Sequence, residues 1–139
     1  MAHSDRKKVI LLFVRYALAA SFLSAVADRF GMWGTPGTEG VAWGNWVNFL
    51  KYTALLNPWA PQSWILIIGT AATSLEIIFA IALILGVCIR FVALGSGLLL
   101  LVFALSMTFT FGIKSPLDYS VFSASAAAFL LFMQGRGDA

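Results

Sequence analysis

Four long apolar segments dominate the sequence, and polar side chains are few within them. They lie at about residues 9–29, 64–87, 91–113 and 118–133. An α-helix needs about 20 apolar residues to cross the hydrocarbon core of a bilayer. The pattern therefore predicts an all-α protein, a membrane-embedded antiparallel four-helix bundle, with residues 1–139 forming a single transmembrane domain.

Residues 31–63 form the one sizeable loop of this arrangement, on its outer side. All five tryptophans lie in this loop or at its edge: Trp33, Trp43, Trp46, Trp59 and Trp64. From Trp43 to Ala54 apolar side chains recur at helical spacing, which predicts a short helix lying in the membrane interface. Two interpretations fit the tryptophans: an anchor at the headgroup level, or a lid over a pocket.

Composition argues against a water-soluble domain. Only 11% of the residues are charged and the mean hydropathy is +0.90, whereas soluble domains carry about 25% charged residues. The formal net charge of +3 is small. On so apolar a chain it indicates orientation in the membrane and no nucleic-acid partner.

The clustered basic residues indicate that orientation. They lie before the first segment, between the second and third, and after the fourth: Arg6, Lys7, Lys8, Arg90 and Arg136. The positive-inside rule then predicts a multi-pass protein with both termini in the cytosol. The alternative is a secretory signal ending near Ala25-Val26-Ala27, but Arg15 within the apolar run argues against it.

Cysteine and histidine usage excludes several kinds of chemistry. Cys88 is the only cysteine, so the chain can form neither an intrachain disulfide nor a dithiol pair. His3 is the only histidine, which argues against histidine-ligated haem or zinc within one chain. We therefore predict no metal site and no catalytic residue.

Glu76 is the most informative single residue. It lies about 15 Å from the cytosolic end of the second segment, near the middle of the bilayer. An ionised carboxylate at this depth must face the bundle interior. Thr73 shares its helix face, and Ser123 of the last segment lies at a similar depth. Arg15 is the expected partner, although its side chain and that of Glu76 lean in opposite directions in antiparallel helices. Arg15 could instead snorkel to cytosolic headgroups.

A second set of charges gathers at the outer ends of the segments: Asp28, Arg29, Lys114 and Asp118. These charges could form a simple anchoring network, or they could line the mouth of a polar site. In the second case we expect the outer loop to cover the mouth. Trp33 or Trp46 would then make a cation–π contact with Arg29 or Lys114.

Several short motifs occur in a characteristic order along the chain. They are Arg15, the run FLSAVADRFG at 22–31, Leu75-Glu76-Ile77, Leu85-Gly86, and DYSVFS at 118–123. In these features the sequence resembles the DoxX / DoxX-like family of small four-span bacterial membrane proteins. The resemblance implies an inner-membrane helical bundle. Some members are similar to subunits of thiosulfate:quinone oxidoreductases, and others are associated with redox-stress complexes.

The residues and the resemblance together favour a non-catalytic inner-membrane subunit. It would bind a quinone-like or other lipophilic molecule in a redox-associated complex, with a redox protein as partner. The expected site lies around Arg15, Thr73, Glu76 and Ser123. The alternatives are a small-solute transporter and an assembly protein that holds a partner.

Overall fold

The computed structural model describes residues 2–135, and in this part of the chain it contains helices and no strand. The helices are α1 (His3–Arg29), α2 (Trp46–Leu56), α3 (Gln62–Leu85), α4 (Ile89–Phe111), α5 (Lys114–Asp118) and α6 (Val121–Gly135). The all-α prediction is confirmed. The short helix expected in the outer loop is present as α2, and the Asn45 side chain caps it by accepting a hydrogen bond from the Asn48 N–H.

Three helices are long and apolar enough to cross a membrane. These are α1, α3 and α4, with 27, 24 and 23 residues and hydropathies of 2.1 to 2.2 in their most apolar windows. The fourth apolar segment is divided: Ser120 adopts a left-handed φ of 57° between α5 and α6. The resulting α6 has 15 residues, fewer than the roughly 20 that a perpendicular span requires.

The helices α1, α3, α4 and α6 pack in a ring. Helix α1 contacts α3 and α6, α4 contacts the same two helices, and α2 lies against α3. The centre is filled by aliphatic, aromatic and small side chains, among them Leu18, Phe22, Leu83, Ala93 and Leu131.

Glycine permits the close approach of α4 to its neighbours. A Cβ atom on Gly97 would lie 2.8 Å from the Phe129 ring, and one on Gly95 would lie 2.7 Å from the Phe79 ring. At the same place the Ser125 hydroxyl donates a hydrogen bond to the Gly97 carbonyl, at 2.8 Å. Small residues allow such contacts between helices in lipid, where close packing replaces the hydrophobic drive.

Large apolar side chains cover the outside of the ring. Phe109 is 86% exposed, Phe91 74% and Phe13 72%. Soluble monomers rarely expose contiguous apolar surface of this kind. Together with the lengths of α1, α3 and α4, this surface indicates a membrane protein.

Candidate functional site

An ion pair lies buried between α1 and α3. The Arg29 guanidinium, at the end of α1, donates through Nη1 to a carboxylate oxygen of Glu76 and to the Thr73 hydroxyl oxygen, the latter at 2.7 Å. Arg29 and Glu76 are each 2% exposed. Glu76 therefore faces the interior of the bundle. This position is expected, because an unpaired carboxylate facing lipid would be costly. Thr73 lies beside it, as expected from its position one helical turn earlier.

Arg15 is not the partner of Glu76, and that predicted pairing is wrong. Arg15 Nε donates to the Leu83 carbonyl at 2.9 Å, and Nη2 donates to the Ile84 carbonyl at 3.2 Å. Helix α3 ends here, with Gly86 in the left-handed conformation at φ 78°. The last carbonyls of a helix lack intrahelical donors and carry partial negative charge. Arg15 therefore caps the C-terminus of α3.

The direction of the side chains explains why Arg29 and not Arg15 reaches Glu76. Arg15, earlier in α1, contacts the end of α3, whereas Arg29, at the end of α1, contacts the middle of α3. Side chains lean toward the N-terminus of their own helix. Arg29 and Glu76 thus lean toward each other, whereas Arg15 leans away. This rule, applied to the whole of α1, could have identified Arg29 from the sequence.

Two aromatic rings cover the Arg29 guanidinium. Its Cζ lies 3.9 Å from the centre of the Phe49 ring and 5.2 Å from that of Trp43. Cation–π attraction acts within about 6 Å of a ring centre. Both rings belong to residues 42–56, which run from Ala42 to the end of α2; we call this stretch the cover segment. A tryptophan of the outer loop does therefore contact Arg29.

The tryptophan that contacts Arg29 is not one of the two expected. Trp33 is 61% exposed, and its indole N–H donates to the Ser24 carbonyl at 3.1 Å. Trp46 stacks on Phe30, with ring centres 5.6 Å apart. Of these three tryptophans only Trp43 lies within the backbone that Asp28 holds, so it is positioned next to the end of α1.

Asp28 fixes the cover segment to α1. Its carboxylate accepts hydrogen bonds from the backbone N–H groups of Ala42, Trp43 and Gly44, at 2.8, 2.8 and 2.9 Å. Gly44 has φ 79°, and a Cβ there would lie 2.6 Å from the Pro36 nitrogen. A side chain at this position is thus excluded by both conformation and space. Asp28 is a clamp for the cover segment.

The predicted outer cluster of four charges is divided in the structure. Lys114 pairs with Asp118 at 2.6 Å, and their side chains are 84% and 54% exposed. An exposed pair of this kind contributes about 0–1 kcal/mol. Asp28 and Arg29 are buried and bind other groups, so the four residues do not form one network.

Helix α2 is held on the bundle by several contacts. Gly69 of α3 leaves room for Leu50, whose methyl group would lie 2.9 Å from a Cβ at that position. The Thr110 hydroxyl donates to the Leu55 carbonyl at 3.1 Å. Tyr52 stacks on Phe111 with ring centres 5.9 Å apart. Burial raises the pKa of Tyr52, and the nearby Tyr119 adds to this effect, so Tyr52 is a neutral phenol at pH 7.

The serines of α6 lie away from Glu76. Ser123 is exposed, and the buried Ser125 donates to α4. Within residues 2–135 neither forms a hydrogen bond with Glu76. Ser123 is therefore not part of the site, because it lies on the exposed face of α6.

Two buried polar atoms have no hydrogen-bond partner within residues 2–135: Arg29 Nε and Ser96 Oγ. A buried donor left unsatisfied costs about 1–3 kcal/mol, and more when it is charged. No sequence pattern pointed to either atom. The unsatisfied Nε lies in the same side chain as the ion pair, which makes it part of the candidate site.

Two open grooves lie on the surface of the described chain. One, of about 570 Å³, runs between α2 and α3 and includes Lys51 and Gln62 among apolar residues. The other, of about 560 Å³, follows α1 along Ala20, Ser21 and Ser24 to Asp28 and Trp43. Neither groove is lined by Glu76 or Arg15. Residues 2–135 contain no group of three or more acidic, histidine or cysteine residues that could hold a metal ion.

Comparisons with known proteins do not identify a family for this chain. No family model matches the chain, and no curated protein or solved structure matches it either. The fold and the apolar surface define the class on their own: a helical protein with three helices suited to crossing a membrane. The resemblance to the DoxX family remains a hypothesis.

Proposed function

We propose that this chain is a non-catalytic inner-membrane subunit of the DoxX type that binds a quinone-like lipophilic molecule in a redox-associated complex. The observation that carries the proposal is the Arg29–Glu76 ion pair, buried between two apolar helices and covered by Phe49 and Trp43. The proposed binding site is this pair together with Thr73. Arg15 and Ser123 are left out because they bind or face elsewhere.

The cost of the ion pair supports a functional role. Moving an ion from water into a protein interior costs several kcal/mol even after relaxation, and an apolar pair of similar volume is often as stable or more stable. Ionisable groups inside a membrane therefore mark functional sites by default. Packing alone does not require Arg29 and Glu76.

The residues present fit a molecule with carbonyl groups. A quinone, when bound, supplies reversible acceptance of electrons and protons. Arg29 has a buried donor, Nε, for which the described part of the chain offers no acceptor. Glu76 supplies a carboxylate that can hold a proton, with Thr73 as a further hydrogen-bonding group. Aromatic rings at Phe49 and Trp43 offer apolar faces to a planar ring.

A four-span antiparallel arrangement with both termini cytosolic is part of the proposal. Arg15 beside Leu83 places the first part of α1 near the end of α3. The Arg90 guanidinium lies 5.5 Å from the Phe132 ring centre, which places the start of α4 near the end of α6. Basic residues thus gather at the ends that the positive-inside rule assigns to the cytosol. A locally thinned bilayer would accommodate the short α6.

The direct test is to purify the full chain in mild detergent and to quantify bound quinone by liquid chromatography and mass spectrometry. We expect quinone with the wild type and at least a tenfold smaller amount with Glu76→Gln, because a lost interaction of about 1.4 kcal/mol weakens binding tenfold. Lys114→Gln, in the exposed ion pair, serves as the control and should retain the wild-type amount. Equal amounts in all three proteins, or none in the wild type, would refute the proposal.

A second candidate function is an assembly protein that holds a partner in the membrane. The observation in its favour is that both grooves are open to the surface and neither is lined by Glu76. Crosslinking in intact membranes, from a photoreactive residue placed at Leu66 in the α2–α3 groove, separates the two. A specific protein adduct together with no bound quinone would favour the assembly role.

A further inference from the structure

The ion pair contains a donor that residues 2–135 do not satisfy. Arg29 Nη1 is used twice, by Glu76 and Thr73, while the buried Nε has no acceptor within residues 2–135. Buried polar groups in native proteins are almost always hydrogen-bonded. An acceptor for the Arg29 Nε donor therefore lies outside residues 2–135, and a bound molecule can supply it.

The groove along α1 leads to the residue that covers this donor. Ala20, Ser21 and Ser24 are small and exposed, and they form the floor of the groove on a helix suited to crossing the membrane. Asp28 and Trp43 lie in its lining as well. Trp43 is thus shared: it lines the groove, and its ring also lies over the Arg29 guanidinium.

The backbone and the ring of Trp43 are held by separate contacts. The Trp43 N–H is fixed by the Asp28 carboxylate at 2.8 Å. The Trp43 ring contacts the Arg29 guanidinium, the Phe49 ring at an edge and the Tyr52 ring at a tilt. Rotation about the Trp43 side-chain bonds would break these ring contacts but would leave the bond between Asp28 and the Trp43 N–H in place.

We infer that the groove along α1 admits a lipophilic molecule from the bilayer and that an acceptor atom of this molecule, such as a ring carbonyl, binds Arg29 Nε once the Trp43 ring has turned aside. The inference rests on the proposed function and adds to it the route of entry and the atom that recognises the ligand. The ligand class is a lipophile that carries a hydrogen-bond acceptor.

The test uses the full chain in lipid nanodiscs, with a decyl-substituted benzoquinone as the probe and quenching of tryptophan fluorescence as the readout. Ala20→Phe fills the groove. Ala17→Phe is the matched control, because Ala17 is also exposed on α1 but does not line the groove. We expect at least tenfold weaker apparent binding with Ala20→Phe and less than a twofold change with Ala17→Phe. Ser24→Leu provides a second block should Ala20→Phe fail to fold.

The acceptor is tested by infrared spectroscopy of the bound probe. A carbonyl that accepts a hydrogen bond from Arg29 should absorb at lower frequency than the carbonyl of free quinone in lipid. Arg29→Lys removes Nε while keeping the positive charge, so this shift should disappear. An unchanged shift in Arg29→Lys would overturn the assignment of the acceptor contact.

The outcomes separate the inference from the proposed function. Quinone binding that Glu76→Gln weakens but that Ala20→Phe and Ala17→Phe affect equally would overturn the route and leave the proposed function intact. Absence of saturable binding in the wild type would refute the proposed function itself, and the route with it.

Discussion

Replacing Glu76 with leucine removes one partner of the buried ion pair and leaves Arg29 charged in an apolar interior. Arg29 is 2% exposed and cannot reach water without disturbing the aromatic rings over it. Breaking a buried pair in this way costs about 3–5 kcal/mol, because the remaining charge is uncompensated. We therefore expect Glu76→Leu to destabilise the protein by about 3–5 kcal/mol, and Arg29→Leu to do so by a similar amount.

The double variant Arg29→Leu with Glu76→Leu should behave differently. It leaves no buried charge, and two leucines replace side chains of similar volume, which in other proteins is neutral or stabilising. The double variant also gives up the cation–π contacts of Arg29 with Phe49 and Trp43, each worth about 0.5–2 kcal/mol. We expect its free energy of unfolding to lie within about 2 kcal/mol of the wild-type value.

The four proteins form a double-mutant cycle, measured as free energies of unfolding in detergent micelles by circular dichroism. Asp118→Leu is the control for removal of an acidic partner at an exposed pair, and it should cost about 0–1 kcal/mol. If the double variant were destabilised by the sum of the two single effects, the two side chains would be energetically independent. That result would refute the ion pair as the organising interaction of the site.

Three further predictions concern the neighbouring structure. Asp28→Asn removes acceptor capacity for the N–H groups of residues 42–44, so it should cost about 1–3 kcal/mol and speed hydrogen exchange at those amides, measured by mass spectrometry. Gly44→Ala should lower the melting temperature more than Gly37→Ala, because both positions have positive φ but only Gly44 also meets Pro36; equal shifts would contradict the steric argument. Arg15→Met should destabilise by about 1–3 kcal/mol in thermal unfolding through the loss of two bonds to α3 carbonyls, and an unchanged melting temperature would count against that capping role.

Much of the site could be predicted from the sequence. A carboxylate in the middle of an apolar segment must be buried, so the interior position of Glu76 follows from its depth alone. The side-chain lean that argued against Arg15 also favoured a basic residue at the far end of α1. The choice of Trp43 over Trp33 and Trp46 was not accessible, since it depends on the bonds between Asp28 and the backbone of residues 42–44.

The sequence by itself determined the helical class, three of the four predicted spanning segments and the burial of Glu76. These properties depend on the free energy of transferring each segment from water to lipid. That free energy follows from the composition of the segment alone. The tertiary structure decided the partner of Glu76, the residue that covers Arg29 and the separation of Lys114 and Asp118 from Asp28. Each of these depends on the axial offset between helices, which packing at contacts such as Gly69 against Leu50 and Gly97 against Phe129 sets to within a few ångströms. Hydropathy carries no information about that offset. When one apolar helix slides along another, the free energy of transferring each helix from water to lipid does not change.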